Sequence, residues 1–369
     1  MVRCRREVLE APATVHGGDA LLVAPRPLDF SSNVSPLGPP PRAIDALKRS
    51  LDLTKYYPDH ECRAVKEAVS GYLGVEPGQV VVGCGVTELI RAIALAFIDR
   101  GDVVVTLSPT FSEYEASAAL MGAGVRYVEL KAEDGFKLSS DGVVESLDPT
   151  VKAVFICNPN NPTGGLMELS ELRRVVEEAG RLGAVVVVDE SYQEFLERPC
   201  TATSLIEDYP NLVVLRSITK PFGMPGLRVG YAVASEEAAR VVERARVTWS
   251  VGVLEQVAAA EALKDRSYLE RLRRLIAEEK PYMARQLSSL GLKVYPSAAN
   301  FLLVDVSALN VEAPELRRRL LGRGILIRDC SSFRGLGPSY VRLAIRLREE
   351  NEALIEALRE EVEPPCGGG

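Results

Sequence analysis

Ala184-Val-Val-Val-Val-Asp-Glu-Ser-Tyr192 is apolar through its four valines and then turns acidic in a single step. Alternate residues of a strand point to opposite faces, so an unbroken β-branched run must be covered on both. That is the condition of a strand inside a parallel sheet flanked by helices, and it predicts an α/β fold. The pattern recurs twice. Val151–Cys157 runs into Asn-Pro-Asn-Asn-Pro-Thr-Gly-Gly165, and Leu212–Leu215 runs into Arg216-Ser-Ile-Thr-Lys-Pro-Phe-Gly-Met-Pro-Gly226. In such sheets ligands collect at the carboxyl ends of the strands. Asn161, Asp189 and Lys220 each lie just past a different predicted strand, so all three can face one site.

Lys220 sits among Pro221, Gly223, Pro225 and Gly226, which forbid regular structure. A second apolar run, Val229–Val233, follows at once. A lysine fixed between two strands, with Ser217 and Thr219 before it and Arg228 after it, suits an anionic cofactor that bears a carbonyl. The amine can form a Schiff base while hydroxyls and guanidinium hold a phosphate. Asp189 can pair with a protonated pyridine nitrogen, a charge-assisted bond of roughly 1.5–3 kcal/mol. Asn161 and Tyr192 can donate to a phenolic oxygen on the same ring. Taken singly, each residue has a plainer account: a surface lysine, a turn-shaping asparagine, a helix-capping aspartate. Those accounts are fair for each residue and weak for the set.

Together, NPNNPTG, VVVVDESY and SITK…GLRVGY resemble the fold-type I pyridoxal-phosphate enzymes of the class I/II aminotransferase family, over nearly the whole chain. The resemblance implies pyridoxal 5'-phosphate as cofactor, with Lys220 bonded to it and Asp189 on the pyridine nitrogen. It assigns Asn161 and Tyr192 to the ring hydroxyl, and Ser217, Thr219 and Arg228 to the phosphate. The implied architecture is a large domain with a mainly parallel sheet between helices, plus a smaller α+β domain.

Composition agrees. At 369 residues the chain is long enough for about two domains. A net charge of −7 offers no basic excess to neutralise nucleic-acid phosphates. No basic-then-apolar leader opens the chain, and no apolar run approaches the ~20 residues that span a bilayer. Seven scattered cysteines, never in a CxxC pair, point to a reducing cytoplasm without a zinc site. With only His16 and His60 present, acid–base work falls to lysine, tyrosine or a carboxylate.

Val80-Val-Val-Gly-Cys-Gly-Val-Thr87 reads as strand, glycine turn and helix start. Gly85, Val86 and Thr87 can cradle a phosphate there, although Thr87 also serves as a plain N-cap. After the strand Val103–Leu107, Phe111 can stack on a pyridine ring; core packing is the competing account. Helices are expected at about Ser112–Met121 and Leu169–Arg181, then in a longer series, Ser235–Arg246, Val253–Lys264 and Tyr268–Leu290. Trp249 is read as a core residue or a site wall.

The first 29 residues contain His16-Gly-Gly-Asp19, a flexible loop by composition. Leu28 to Pro41 is extended and rich in proline, a linker by composition, and leads to a helix at about Arg42–Leu51. The resemblance instead makes 1–41 an arm joining the small domain, with 42–246 the large domain and 247–369 the small one. Residues 363–369 read as a frayed tail. HGGD followed by DFSSNVSPLGPP is similar to the threonine-phosphate decarboxylases of cobalamin biosynthesis. Histidinol-phosphate aminotransferases, close relatives, carry a related arm without HGG. Asn33 and His16 thereby become substrate-site candidates. Tyr57, in a Pro-Asp turn, corresponds in resembling enzymes to the tyrosine that crosses to the partner's cofactor phosphate. This implies a homodimer with shared active sites.

Arg342 and Arg346, four apart in an expected strand, should point to one face, with Arg328 nearby. Flanking Val341, Leu343, Ala344 and Ile345 make that strand buried, a costly place for unpaired charge, so a substrate bearing carboxylate and phosphate fits. The ILIRDCSSF…VRLAIR and WSV resemblances favour decarboxylation of L-threonine O-3-phosphate. Tyr192 departs from the decarboxylase pattern toward the aminotransferase one, and Pro221 directly after the lysine is unusual in either group. The alternatives are histidinol-phosphate transamination and a non-catalytic pyridoxal-phosphate sensor.

Overall fold

The computed structural model describes residues 4–362. The expected tail at 363–369 lies outside the described residues.

Strand β1 (Leu28–Asp29) precedes the main sheet and is taken up below. The main sheet comprises β2 (Val80–Gly83), β3 (Val103–Ser108), β4 (Gly124–Glu129), β5 (Val151–Cys157), β6 (Val185–Asp189), β7 (Leu212–Ser217) and β8 (Gly230–Ala234). Their spatial order is β2-β8-β7-β6-β5-β3-β4. β3 through β7 pair in parallel, whereas β8 runs antiparallel to both of its neighbours. β6 and β7 are buried at every position, as unbroken apolar runs require. The connection from β5 to β6 is the helix Leu169–Arg181, whose start is set by a capping box of Glu168 and Glu171. This is the expected α/β architecture.

A second sheet uses β9 (Lys293–Val294), β10 (Phe301–Asp305), β12 (Arg328–Asp329) and β13 (Tyr340–Ala344), while β11 (Ile325–Leu326) lies beside it. Its order is β12-β13-β10-β9, all antiparallel. β1 pairs in parallel with β11, and the Ala344 N–H donates to the Phe30 carbonyl at 3.0 Å. Five residues after Phe30, the Ser35 N–H donates to the carbonyl of Lys220 at 2.9 Å. The proline-rich stretch is therefore an arm tied at both ends, not a linker. Long helices fill the chain between the two sheets: Glu236–Ala245, Val253–Leu263 and Arg266–Ser289. The last begins where the Asp265 carboxylate caps the Tyr268 N–H. No helix among the described residues is long and apolar enough to cross a membrane.

Several expectations shift. The helix read as Arg42–Leu51 is Pro41–Arg49, followed by a 3-10 turn at Leu51–Lys55 that delivers Tyr57 to the surface, 81% exposed. Trp249 is neither core nor pocket wall; it is 51% exposed and packs its ring 4.9 Å from that of Tyr57. His16-Gly-Gly-Asp19 is not a free loop. Arg328 donates to the Val15 carbonyl at 2.8 Å, Gly18 N–H to Ser31 Oγ at 3.2 Å, and Arg317 pairs with Asp19 at 3.2 Å. Arg346 does not share a face with Arg342. The shared-face argument holds only while a strand continues, and β13 ends at Ala344. Arg346 lies in the turn to the helix Arg348–Val362, where its N–H donates to Asn351 Oδ1 and its guanidinium pairs with Glu350 at 2.7 Å.

Candidate active site

A cavity of about 330 Å³ opens where β5, β6 and β7 end. Lys220 projects into it, Nζ 5.3 Å from the centre of the Tyr192 ring. Burial pushes the Lys220 amine below the usual lysine range, and Asp189 only partly opposes this. The Tyr192 hydroxyl accepts from Asn33 Nδ2 at 3.3 Å. Asn33 Oδ1 is buried and has no hydrogen-bond partner among the described residues.

Asp189 ends β6 almost fully buried. Its Oδ1 accepts from the Ser191 N–H at 3.0 Å and its Oδ2 from the Tyr114 hydroxyl at 2.8 Å. Phe111 lines the same cavity, its ring 5.6 Å from that of His16. His16 Nε2 lies 2.9 Å from Glu113 Oε1, in the first turn of the helix Glu113–Met121.

Val86, Thr87, Ser217, Thr219 and Arg228 line the far end. Ser217 Oγ and Thr219 Oγ1 are 3.1 Å apart. The helix Gly85–Phe97 starts here, with free N–H groups and the positive end of its dipole. Gly85 does not itself line the cavity. Its φ is +75°, and a Cβ at this residue would stand 2.6 Å from Arg228 Nη2. The left-handed backbone is what calls for glycine, and the guanidinium packs close beside it.

The opposite wall carries arginines. Arg342 donates to Asn161 Oδ1 and, at 2.6 Å, to the Ser31 carbonyl. Arg328 donates to Ser332 Oγ at 2.9 Å as well as to Val15. Both are largely buried, and neither has a carboxylate within ion-pair distance among the described residues. Burial, and then the nearby Arg342 charge, push Arg328 below the ordinary arginine range. Two like charges held this way favour a bound anion.

Residues 25–358 match the family described as aminotransferase class I and II. The chain belongs to that family. A histidinol-phosphate aminotransferase of Methanopyrus kandleri is 39% identical over 348 residues, covering 90% of this chain and 88% of that protein. The crystal structure of the histidinol-phosphate aminotransferase of Sinorhizobium meliloti in complex with pyridoxal-5'-phosphate has a TM-score of 0.86 at 25% identity, covering 98% of each chain. The L-threonine-O-3-phosphate decarboxylase of Porphyromonas gingivalis has a TM-score of 0.81 at 27% identity, covering 91% of this chain and 99% of that one. The cofactor is pyridoxal 5'-phosphate.

The residues present fit that group. The Gly85 helix start, two hydroxyls and Arg228 would suit a phosphate, the buried acid Asp189 would suit a protonated ring nitrogen, and Lys220 is an amine that burial pushes toward its neutral form. The cavity thus gathers Asn33, Asn161, Asp189, Tyr192, Lys220, Arg328, Arg342, His16 and Phe111 with the phosphate-end residues. Tyr57, Gly85 and Arg346 stand outside its lining. Sequence reasoning missed Tyr114 and Cys157. The one signal for Tyr114 was its place three residues after Phe111 at a helix start, which returns both rings to the same side. Cys157 ends β5 beside Asp189; burial pushes its thiol up to about 12, so it stays protonated.

Proposed function

We propose that this aminotransferase-family chain decarboxylates L-threonine O-3-phosphate to (R)-1-aminopropan-2-yl phosphate. One observation carries the reading: Arg328 and Arg342, both buried with no carboxylate within ion-pair distance among the described residues, line the cavity with His16 and Gly17. A small substrate bearing a carboxylate and a phosphate supplies anions for both guanidiniums at once. In this reading the arm residues His16 and Asn33 close on the substrate from above.

Pyridoxal phosphate, when bound, supplies an aldehyde for amine attachment and a ring that withdraws electrons from the substrate's α-carbon. The remaining work falls to the chain. Arg328 and Arg342 grip the anions and set which α-carbon bond stands perpendicular to the ring. With the phosphate held by the guanidiniums, the bond to the carboxylate would be the one left exposed, and carbon dioxide would leave, the electrons of that bond passing to the bound cofactor. Lys220, placed against the ring of Tyr192, returns a proton to the α-carbon.

The identity with the Methanopyrus protein favours a second reading, histidinol-phosphate transamination. Pure protein is to be offered threonine phosphate with detection of carbon dioxide, and separately histidinol phosphate with 2-oxoglutarate and detection of glutamate. Turnover in the second assay alone ends the first reading. A bound chromophore without turnover in either would favour a sensor.

The same proposal includes a homodimer in a reducing cytoplasm. The exposed Tyr57 and Trp249 rings, with Leu51 and Val247 also exposed, support a second copy covering this face. Tyr57 would then serve the partner's cofactor phosphate. The division into an arm, a large domain at 42–246 and a small one at 247–369 is part of this reading.

A further inference from the structure

Tyr114 is fully buried and held on two sides. Its ring stacks on Phe155, with centroids 5.3 Å apart and planes 15° apart. Phe111 meets it edge-on, with centroids 5.7 Å apart. Locked this way, its hydroxyl has one direction to point, and it points at Asp189 Oδ2, 2.8 Å away. Burial, then the Asp189 charge, hold the phenol far above its usual range, so it remains a donor. The Ser191 N–H takes the other carboxylate oxygen at 3.0 Å. Both oxygens are therefore fixed, and the carboxylate cannot rotate.

We propose that Tyr114 is a positioning residue for the cofactor's acid: its hydroxyl, together with the Ser191 N–H, holds the Asp189 carboxylate oriented toward the ring nitrogen. A hydrogen bond to the charged form of an acid favours that form. Without it the carboxylate can turn away from the ring nitrogen, the charge pairing there weakens, and electron withdrawal by the ring weakens with it. The other titratable groups near Asp189 are Cys157 at the end of β5, Tyr192 after β6, and Lys220 with Arg228 and Arg342 across the cavity. Burial keeps the thiol and the Tyr192 phenol protonated, and among the described residues the bonds to the Asp189 carboxylate come from Tyr114 and the Ser191 N–H.

The inference rests on Asp189 facing the ring nitrogen and is independent of which reaction follows. Tyr114→Phe keeps the stacked ring and deletes the donor. In the holoenzyme the pH midpoint of the bound cofactor's visible band should rise by at least about half a unit, a fraction of one charge-assisted hydrogen bond. Cofactor affinity of the apoprotein should fall several-fold while the melting temperature changes little. A fluorinated tyrosine at 114, more acidic and nearly isosteric, should move the midpoint the opposite way, which keeps the test decisive if the phenylalanine variant folds poorly. Midpoints unmoved in these variants overturn the inference, as does a midpoint shifted only in proportion to lost melting temperature. An Asp189→Ala protein that binds cofactor normally and shows an unshifted midpoint would instead overturn the assignment of Asp189 itself.

Discussion

Arg328 and Arg342 face each other as register partners across β12 and β13, two buried guanidiniums with no carboxylate within ion-pair distance of either among the described residues. Arg342 is held by Asn161 and the Ser31 carbonyl, Arg328 by Val15 and Ser332, so neutral acceptors orient both and cancel neither. Both line the cavity, unlike Arg346, which pairs with Glu350 outside its lining.

Arg342→Lys retains charge but loses the planar fork. It should lower kcat/KM on threonine phosphate by roughly 30-fold, about 2 kcal/mol of charge-assisted hydrogen bonding. Arg346→Ala should leave kcat/KM within about threefold, since its guanidinium pairs with Glu350 outside the cavity lining. Steady-state kinetics on the two variants check the distinction; an equal loss in both would put Arg346 back in the site.

Lys220→Ala should abolish the yellow adduct that borohydride reduces onto the protein, along with turnover. Peptide mass mapping after reduction locates the link. Survival of the covalent adduct in this variant would place the reactive amine elsewhere.

Gly85→Ala forces an L residue to φ +75° and puts its Cβ 2.6 Å from Arg228 Nη2. Backbone strain alone costs about 1–2 kcal/mol, and the guanidinium must also move. Titrating the apoprotein with pyridoxal phosphate should show affinity weakened by roughly tenfold or more, each tenfold being about 1.4 kcal/mol. Unchanged affinity would show that the helix start is not the cradle.

Lys280 provides a pH test away from the site. Burial lowers its amine to about 8, Glu197 opposing. Its Nζ donates to the Ala299 carbonyl at 3.0 Å, beside the turn whose Ala298 N–H holds Gly164 in the loop of Asn161. Because the folded value lies below the unfolded one, the unfolded chain binds more protons between them. Stability on this account rises as pH climbs from about 8 toward the ordinary lysine range, and the penalty is constant below that window. Lys280→Met should flatten that rise by an amount on the order of 1 kcal/mol in urea unfolding of the apoprotein. An identical slope in both proteins would contradict it.

The sequence by itself determined the parallel strands and which side chains stand at their ends. A valine run that stops at Asp189, or an apolar strand that breaks into a proline–glycine loop at Lys220, is a local signal: burial on both faces and the carboxyl-end rule follow from a few neighbouring residues. Tertiary structure alone decided which arginine faces the pocket, where Tyr57 and Trp249 sit, that His16 packs against Glu113, and that Tyr114 holds Asp189. Those relationships join residues 97 and 75 positions apart for His16–Glu113 and Tyr114–Asp189. They turn on where β13 ends and how the arm crosses the sheet, which depend on packing between distant segments and leave no periodic trace in the chain.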